Sequence, residues 1–200
     1  MTTNGVHILS DPGIAAQRHR LEELLDSTAV ILQQNGIAGF FDPVMEAYLR
    51  GVFAMIGAHE GTLWLLTPEE DFLRPRFNTG PAAEKMLRDV KQDVSKGIIS
   101  MVLAMGITSH SDRVYEEAKH DKTVDRTVGS ITCSMVAVPF SFAGNRRGVI
   151  SAVTLKPSVD DPNPPSIPPS AASTLGAAAV LLGRLFDHRL YGILSGEIGN

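Results

Sequence analysis

The sequence predicts an α/β (α+β) fold in three layers, α/β/α. A central antiparallel sheet carries the N- and C-terminal helices on one face and the middle helices on the other. Three observations predict it. Apolar residues recur at three- and four-residue spacing near both chain ends. Between those ends the period shortens to alternating or continuously apolar runs. The strand-like runs form two hairpins, one early and one late, and hairpins demand antiparallel pairing.

The first helix is expected over residues 14–34, where Leu21, Leu24, Leu25, Thr28, Ile31 and Leu32 share a face. Asp11-Pro12 supplies a cap and first turn, and Asn35-Gly36 a stop. A second helix starts at Asp42-Pro43, with Met45, Tyr48, Leu49, Val52, Phe53 and Ile56 as its stripe and Gly57 near its end. Residues 61–67 (GTLWLLT) form a strand. Residues 72–78 (FLRPRFN) alternate and form its hairpin partner. Pro75 removes a ladder donor there, which places that strand near an edge or a bulge. Residues 81–94 are expected to be helical, with Met86, Leu87, Val90 and Val94 on one side. A short apolar helix at 98–105 ends at Gly106, and 107–110 forms a brief strand. Residues 115–125 are charged and are taken as one helix with loops.

Residues 133–142 are apolar at even and odd positions alike, the mark of a strand covered on both faces. Residues 143–148 are a turn, and 149–155 return as the second long strand. Six prolines make 157–169 a loop. A last helix runs from 170 to about 191, with Leu175, Ala178, Ala179, Leu182, Leu185, Phe186 and Arg189 on one face. The expected organisation is an N-terminal extension (1–13) and one domain (14–195) whose core spans about 41–190.

Composition narrows the function classes. Hydrophobic residues at 44% and charged residues at 20% suit a globular core. The net charge of -4 and the dispersed basic residues offer no face for nucleic acid. The start of the chain shows no leader pattern, and no run approaches the roughly 20 apolar residues of a membrane span. A reducing, cytoplasmic setting is the expectation. The single cysteine, Cys133, permits neither an internal disulfide nor a Cys-rich zinc site. Its apolar neighbours point to a buried, inert thiol rather than a nucleophile. No phosphate loop, nucleophile elbow or His-Glu zinc motif occurs.

The segment 121–140, DKTVDRTVGSITCSMVAVPF, followed by GNRRGVISAVTL, resembles the GAF domain family. It looks like that family's acidic helix, glycine, strand ending in "vPf", glycine turn and return strand. Upstream, Gly97-Ile98-Ile99, Met105-Gly106-Ile107 and Ser111-Asp112 match the family's glycine, glycine and aspartate order. The resemblance spans about residues 41–190. It implies a GAF/PAS-like antiparallel sheet with a ligand pocket roofed by the middle segments, for ligands such as cyclic nucleotides, bilins, haem, nitrate or other small anions and metabolites. The bilin-attachment cysteine is missing from 115–125. One cysteine falls short of the several that the free methionine sulfoxide reductase branch uses. The full cyclic-nucleotide signature is not found, and the ligand stays unknown.

Candidate ligand contacts are His110, Asp112, Arg113 and Tyr115, a polar cluster after a short strand. Trp64 and Phe77 on the first hairpin, and Thr132 and Ser134 beside Cys133, complete the set. The alternative for Asp112 is a helix cap, for the aromatics plain core, and for the hydroxyls local bonds to the backbone. His110 and His120 lack acidic or cysteine partners at metal-ligand spacing, so neither metal nor haem is expected. The expected function is a small-molecule-sensing regulatory domain in signal transduction, without enzymatic activity. Its terminal helices would form a homodimer bundle that passes ligand binding to a signalling output protein or domain. The alternatives are a ligand-free structural dimerisation module and a thiol-dependent redox enzyme.

Overall fold

The computed structural model describes residues 41–194 except Pro68. The helix expected over 14–34 and the extension 1–13 lie outside the described residues. Helix α1 (Pro43–Met55) begins as its sequence predicts: Asp42 Oδ1 accepts from the Met45 N–H at 2.9 Å, and proline opens the first turn. Its buried stripe is Met45, Leu49, Val52 and Phe53.

Strands β1 (Glu60–Leu66) and β2 (Phe72–Asn78) form the first hairpin. The register slips between Leu63 and Trp64, so that Trp64 faces Pro75 and Arg76 is the extra residue. The proline thus sits at a bulge, as its missing donor requires.

The expected helix over 81–94 is shorter. Helix α2 covers Ala83–Asp89, Val90 turns extended, and β3 (Gln92–Asp93) pairs with Phe72 and Leu73. Val90 and Val94 sit at helical spacing, but Val94 N–H is taken by the Asp71 carbonyl. Leu87 is exposed rather than inward.

Helix α3 (Gly97–Met105) ends at Gly106, whose φ of 69° is left-handed. The Arg146 guanidinium holds the carbonyls of Leu103 and Ala104 at that end. Strand β4 (Ser109–Ser111) follows. In the charged stretch 115–125, expected as one helix with loops, the helix begins only at Thr123 and runs on to Val128. A 3-10 turn (Val114–Glu116) precedes α4 (Thr123–Val128), which starts where Thr123 N–H and hydroxyl both donate to Asp121 Oδ1.

Strands β5 (Ile131–Phe142) and β6 (Asn145–Lys156) form the long hairpin. Its turn is only Ala143-Gly144, not six residues. Both have positive φ, 49° and 70°, the two-residue turn whose twist matches its strands. The last helix, α5 (Ala171–Leu194), buries Leu175, Ala178, Ala179, Leu182 and Phe186.

The six strands lie in the order β3-β2-β1-β6-β5-β4, every neighbouring pair antiparallel. One sheet face packs against α1 and α5 through Leu63, Leu65, Val136, Val138, Phe140 and Ile150. The other packs against α2, α3 and the crossover through Trp64, Leu73, Met135, Ala137 and Val149. Among the described residues this is the three-layer α+β arrangement. The proline-rich strap 157–169 is pinned at Ile167, whose N–H donates to Ser134 Oγ at 3.1 Å and whose carbonyl accepts from His110 Nε2 at 2.8 Å. Among the described residues, no helix is long and apolar enough to cross a membrane.

Candidate functional site

On the crossover face, alternation along β1 points Glu60, Thr62 and Trp64 away from α1 and α5. Their partners on β6, Val153, Ser151 and Val149, face the same way. Above them the crossover from α2 to α4 does not close completely. It leaves a cavity of about 50 Å³, walled by Met86, Ile98, Ile99, Val124, Val128 and Met135. At roughly 10–15 Å³ per water-sized position, that is room for about three to five heavy atoms.

The polar lining is specific. Trp64 Nε1 donates to Ser151 Oγ at 2.9 Å across the cavity floor. Glu60 is 7% exposed, and its Oε1 accepts from Asn78 Nδ2 at 2.8 Å. Burial pushes this carboxyl above its ordinary range; the Asn78 bond pulls it back, and the charge of Asp125 pushes it up again.

Asp125, on α4, folds back onto β5. Its Oδ1 accepts from Thr132 Oγ1 at 2.7 Å, and its Oδ2 accepts from Thr132 N at 3.1 Å and His120 Nε2 at 3.0 Å. Burial is the largest influence on Asp125 and acts upward. The bonds from His120 and Thr132 together outweigh it and hold the carboxyl below its ordinary value. At the mouth, Gln92 Nε2 donates to Asp121 Oδ2 at 3.2 Å and to the Lys96 carbonyl at 2.8 Å. Gly97 lies under this pair with a φ of 84°; an added Cβ would press on Asp121 and Gln92. Among the described residues, no lysine or arginine lines the cavity.

The eight residues singled out from the sequence do not converge. Trp64 and Thr132 line the cavity. Thr132 is there because a bulge between Thr132 and Ser134 breaks the alternation of β5. Ser134 lies on the opposite face, where its hydroxyl shares a 2.7 Å hydrogen bond with Thr154 and receives Ile167 N–H. His110 pairs with Val136 on that same face and binds the strap. Phe77 is core there too, 5.2 Å from the Phe41 ring centroid, with Arg50 over its ring. Asp112 and Arg113 are exposed: Asp112 Oδ1 lies 3.6 Å from His110 Nε2, away from the cavity, and Arg113 is beside Glu116 at 3.5 Å.

Tyr115 faces a second, open cleft of about 740 Å³ between α4 and the strap, with Lys122, Arg126 and Lys156. That cleft is larger, but it lies open to solvent. The polar groups of the smaller cavity, by contrast, are buried and converge.

Sequence reasoning missed Glu60, His120 and Asp125 as a site. Glu60 precedes the run 61–67, yet its parity with Thr62 and Trp64 was a readable signal. The Asp125–Thr132 contact depends on the chain reversing at Gly129, φ 78°, which residue spacing does not reveal.

Cys133 is 2% exposed and lies outside the cavity lining. Burial pushes its thiol up, with Lys156 opposing. Among the described residues, no group of three His, Cys, Asp or Glu is placed to hold a metal.

No family model matches the sequence, and no curated protein matches it. Solved structures do match in shape. The GAF domain of an Acinetobacter phosphoenolpyruvate-protein phosphotransferase is 16% identical, with a TM-score of 0.59 over 88% of this chain and 98% of that one. Residues 122 to 287 of a methyl-accepting chemotaxis protein are 14% identical, with a TM-score of 0.58 over 84% and 97%. The free methionine-R-sulfoxide reductase of Neisseria meningitidis, solved with its substrate, is 18% identical, with a TM-score of 0.53 over 92% and 96%. The chain has the GAF fold. That fold is shared by a domain of a phosphotransferase, a segment of a chemotaxis protein and a reductase, and it does not choose among roles.

Proposed function

We propose that this protein is a small-molecule-sensing regulatory domain of a signalling system, its ligand held between the sheet and the crossover from α2 to α4. The observation that carries the reading is the buried polar cavity there, with Glu60, Asp125 and the Trp64–Ser151 pair converging on a space that apolar side chains could have filled. A ligand acts by binding two arrangements of the crossover unequally and so shifting their populations. The final helix, α5, carries that shift into a homodimer bundle and on to an output protein or domain. Exposed apolar side chains on α5, Val180, Leu181 and Tyr191, supply a second face for such a bundle.

A thiol-dependent enzyme is the weaker reading, because Cys133 is buried away from the cavity and its thiolate is disfavoured. The small size of the cavity favours one rival, a structural dimerisation module without a ligand. Thermal unfolding and native mass spectrometry across cyclic nucleotides, nitrate, haem and amino acids separate the two. Sensing requires at least one compound to raise the unfolding temperature in proportion to its occupancy. A flat response across the panel refutes it.

A further inference from the structure

We infer that the open cleft between α4 and the strap is a second binding site, for a small organic anion. Its charged head meets Lys122, Arg126 and Lys156, and its apolar body lies along Ile131 and Val159. Among the described residues this cleft shares only Asp125 with the lining of the buried cavity, so its occupant is independent of whatever the cavity holds.

Lys156 is the first observation. It is 7% exposed, and a lysine is seldom buried without a counter-charge. Its Nζ donates to the carbonyls of Val159 at 3.1 Å and Asp161 at 3.2 Å, and stands 5.2 Å from the Tyr115 ring centroid. These contacts fix the ammonium group in the cleft wall. They leave its third N–H without an acceptor and its charge without a carboxylate within 4.0 Å among the described residues.

The second is the pair of exposed cations opposite. Lys122 and Arg126 stand four residues apart at the start of α4, and neither has an ion-pair partner among the described residues. Like charges at that spacing repel, and an anion between them turns repulsion into attraction. The two carboxylates of the lining do not serve. Asp125 is turned to Thr132 and His120, and Asp161 meets Lys156 through its backbone carbonyl. In a chain of net charge -4, three cations without partners thus share one cleft.

The rest of the wall suits an organic ligand. The Tyr115 hydroxyl accepts from Asn163 Nδ2 at 2.9 Å and keeps its own proton to donate. Val159 is 77% exposed and lines the cleft beside Ile131, apolar surface that a ligand body would cover. The volume of about 740 Å³ lies in the range of small-molecule sites.

The test is isothermal titration calorimetry on the full 200-residue chain. Phenyl phosphate, benzyl alcohol and benzylammonium vary the charge on one ring, and inorganic phosphate carries the charge without the ring. The expected result is saturable binding of phenyl phosphate, at least about tenfold tighter than each of the other three. Its affinity falls as salt is raised, because two of the cations are exposed. Lys122→Gln/Arg126→Gln changes only exposed side chains, and Lys156→Met keeps the apolar stem without the charge. Each is expected to weaken phenyl phosphate by at least about tenfold, whereas the exposed control Lys85→Gln on α2 keeps its affinity.

Equal or tighter binding of benzyl alcohol or benzylammonium overturns the anion site, and so does the absence of binding by every probe. Full affinity in Lys122→Gln/Arg126→Gln places the ligand elsewhere and overturns it too. Inorganic phosphate binding as tightly as phenyl phosphate overturns the apolar half of the site. The exposed double variant decides even if Lys156→Met fails to fold.

Discussion

Replacing Asp125 by alanine removes the acceptor of three hydrogen bonds at once, and the structure sets the cost. Thr132 Oγ1 can rotate to another partner, but Thr132 N–H is fixed by the backbone and His120 Nε2 by its buried ring, and both donate to Asp125 Oδ2, at 3.1 Å and 3.0 Å. Leaving a buried donor unsatisfied costs about 1–3 kcal/mol. The adjoining cavity admits water, which offsets part of that loss. The expected net destabilisation for Asp125→Ala is about 3 kcal/mol, or about 6–12 °C in unfolding temperature for a chain of this size.

Asp125→Asn is the informative companion. With its amide nitrogen at the Oδ1 position it donates to Thr132 Oγ1, and with its oxygen at the Oδ2 position it accepts from Thr132 N and His120. Only charge assistance is lost, about 1 kcal/mol. The two proteins also differ in acid. The folded value of Asp125 lies below its ordinary 3.8, so its contribution is present above that value and disappears as pH falls through the depressed one. The gap between wild type and Asp125→Asn therefore closes at low pH. Urea unfolding followed by Trp64 emission, read as a midpoint change at constant slope, measures all three proteins. Asp125→Ala within about 0.5 kcal/mol of wild type, or Asn and Ala variants equally unstable, would refute the account.

Glu60→Gln is expected to be more stable than wild type near pH 8 and no different at pH 4. The folded value of Glu60 lies above its ordinary 4.5, so the stability it allows is complete below 4.5 and is lost as pH rises through the folded value; glutamine keeps the Asn78 bond without the charge. The gain is about 1.4 kcal/mol for every tenfold by which burial disfavours the charge, and a gain that persists at pH 4 would contradict this origin. Two glycines of α5 should respond with opposite sign. Gly176→Ala meets nothing within 4 Å and should stabilise by about 0.5–1 kcal/mol. Gly183→Ala would place its Cβ 2.3 Å from the Ser141 carbonyl oxygen and should destabilise by about 1–3 kcal/mol, despite alanine's better helix propensity. Calorimetric unfolding of both variants decides, and two stabilised proteins would disprove the close approach.

Periodicity made the layers legible. Alternation in 72–78 located β2 to the residue, and the apolar run 133–142 announced a strand buried on both sides. Where tertiary contacts override local pattern, the reading failed. Val90 and Val94 look helical, yet β2 offers a free edge that Gln92 and Asp93 take instead. The site was harder, because facing depends on single inserted residues. The bulge at Arg76 precedes the turn of Phe77 toward the helix layer, and the bulge near Cys133 puts Thr132 and Ser134 on opposite faces. A one-residue insertion leaves no trace in composition or spacing.

The fastening of Ile167 has a mechanical consequence. One clamp on that residue comes from the edge strand β4 and the other from β5, only four residues before α5 begins. The edge strand in turn follows α3, which lies over the cavity. The base of the final helix is thereby bolted to the rim of the sheet. Any sideways displacement of β4 works on α5 near its fulcrum, where a sub-ångström shift is magnified along 24 residues of rigid lever before it reaches the far tip.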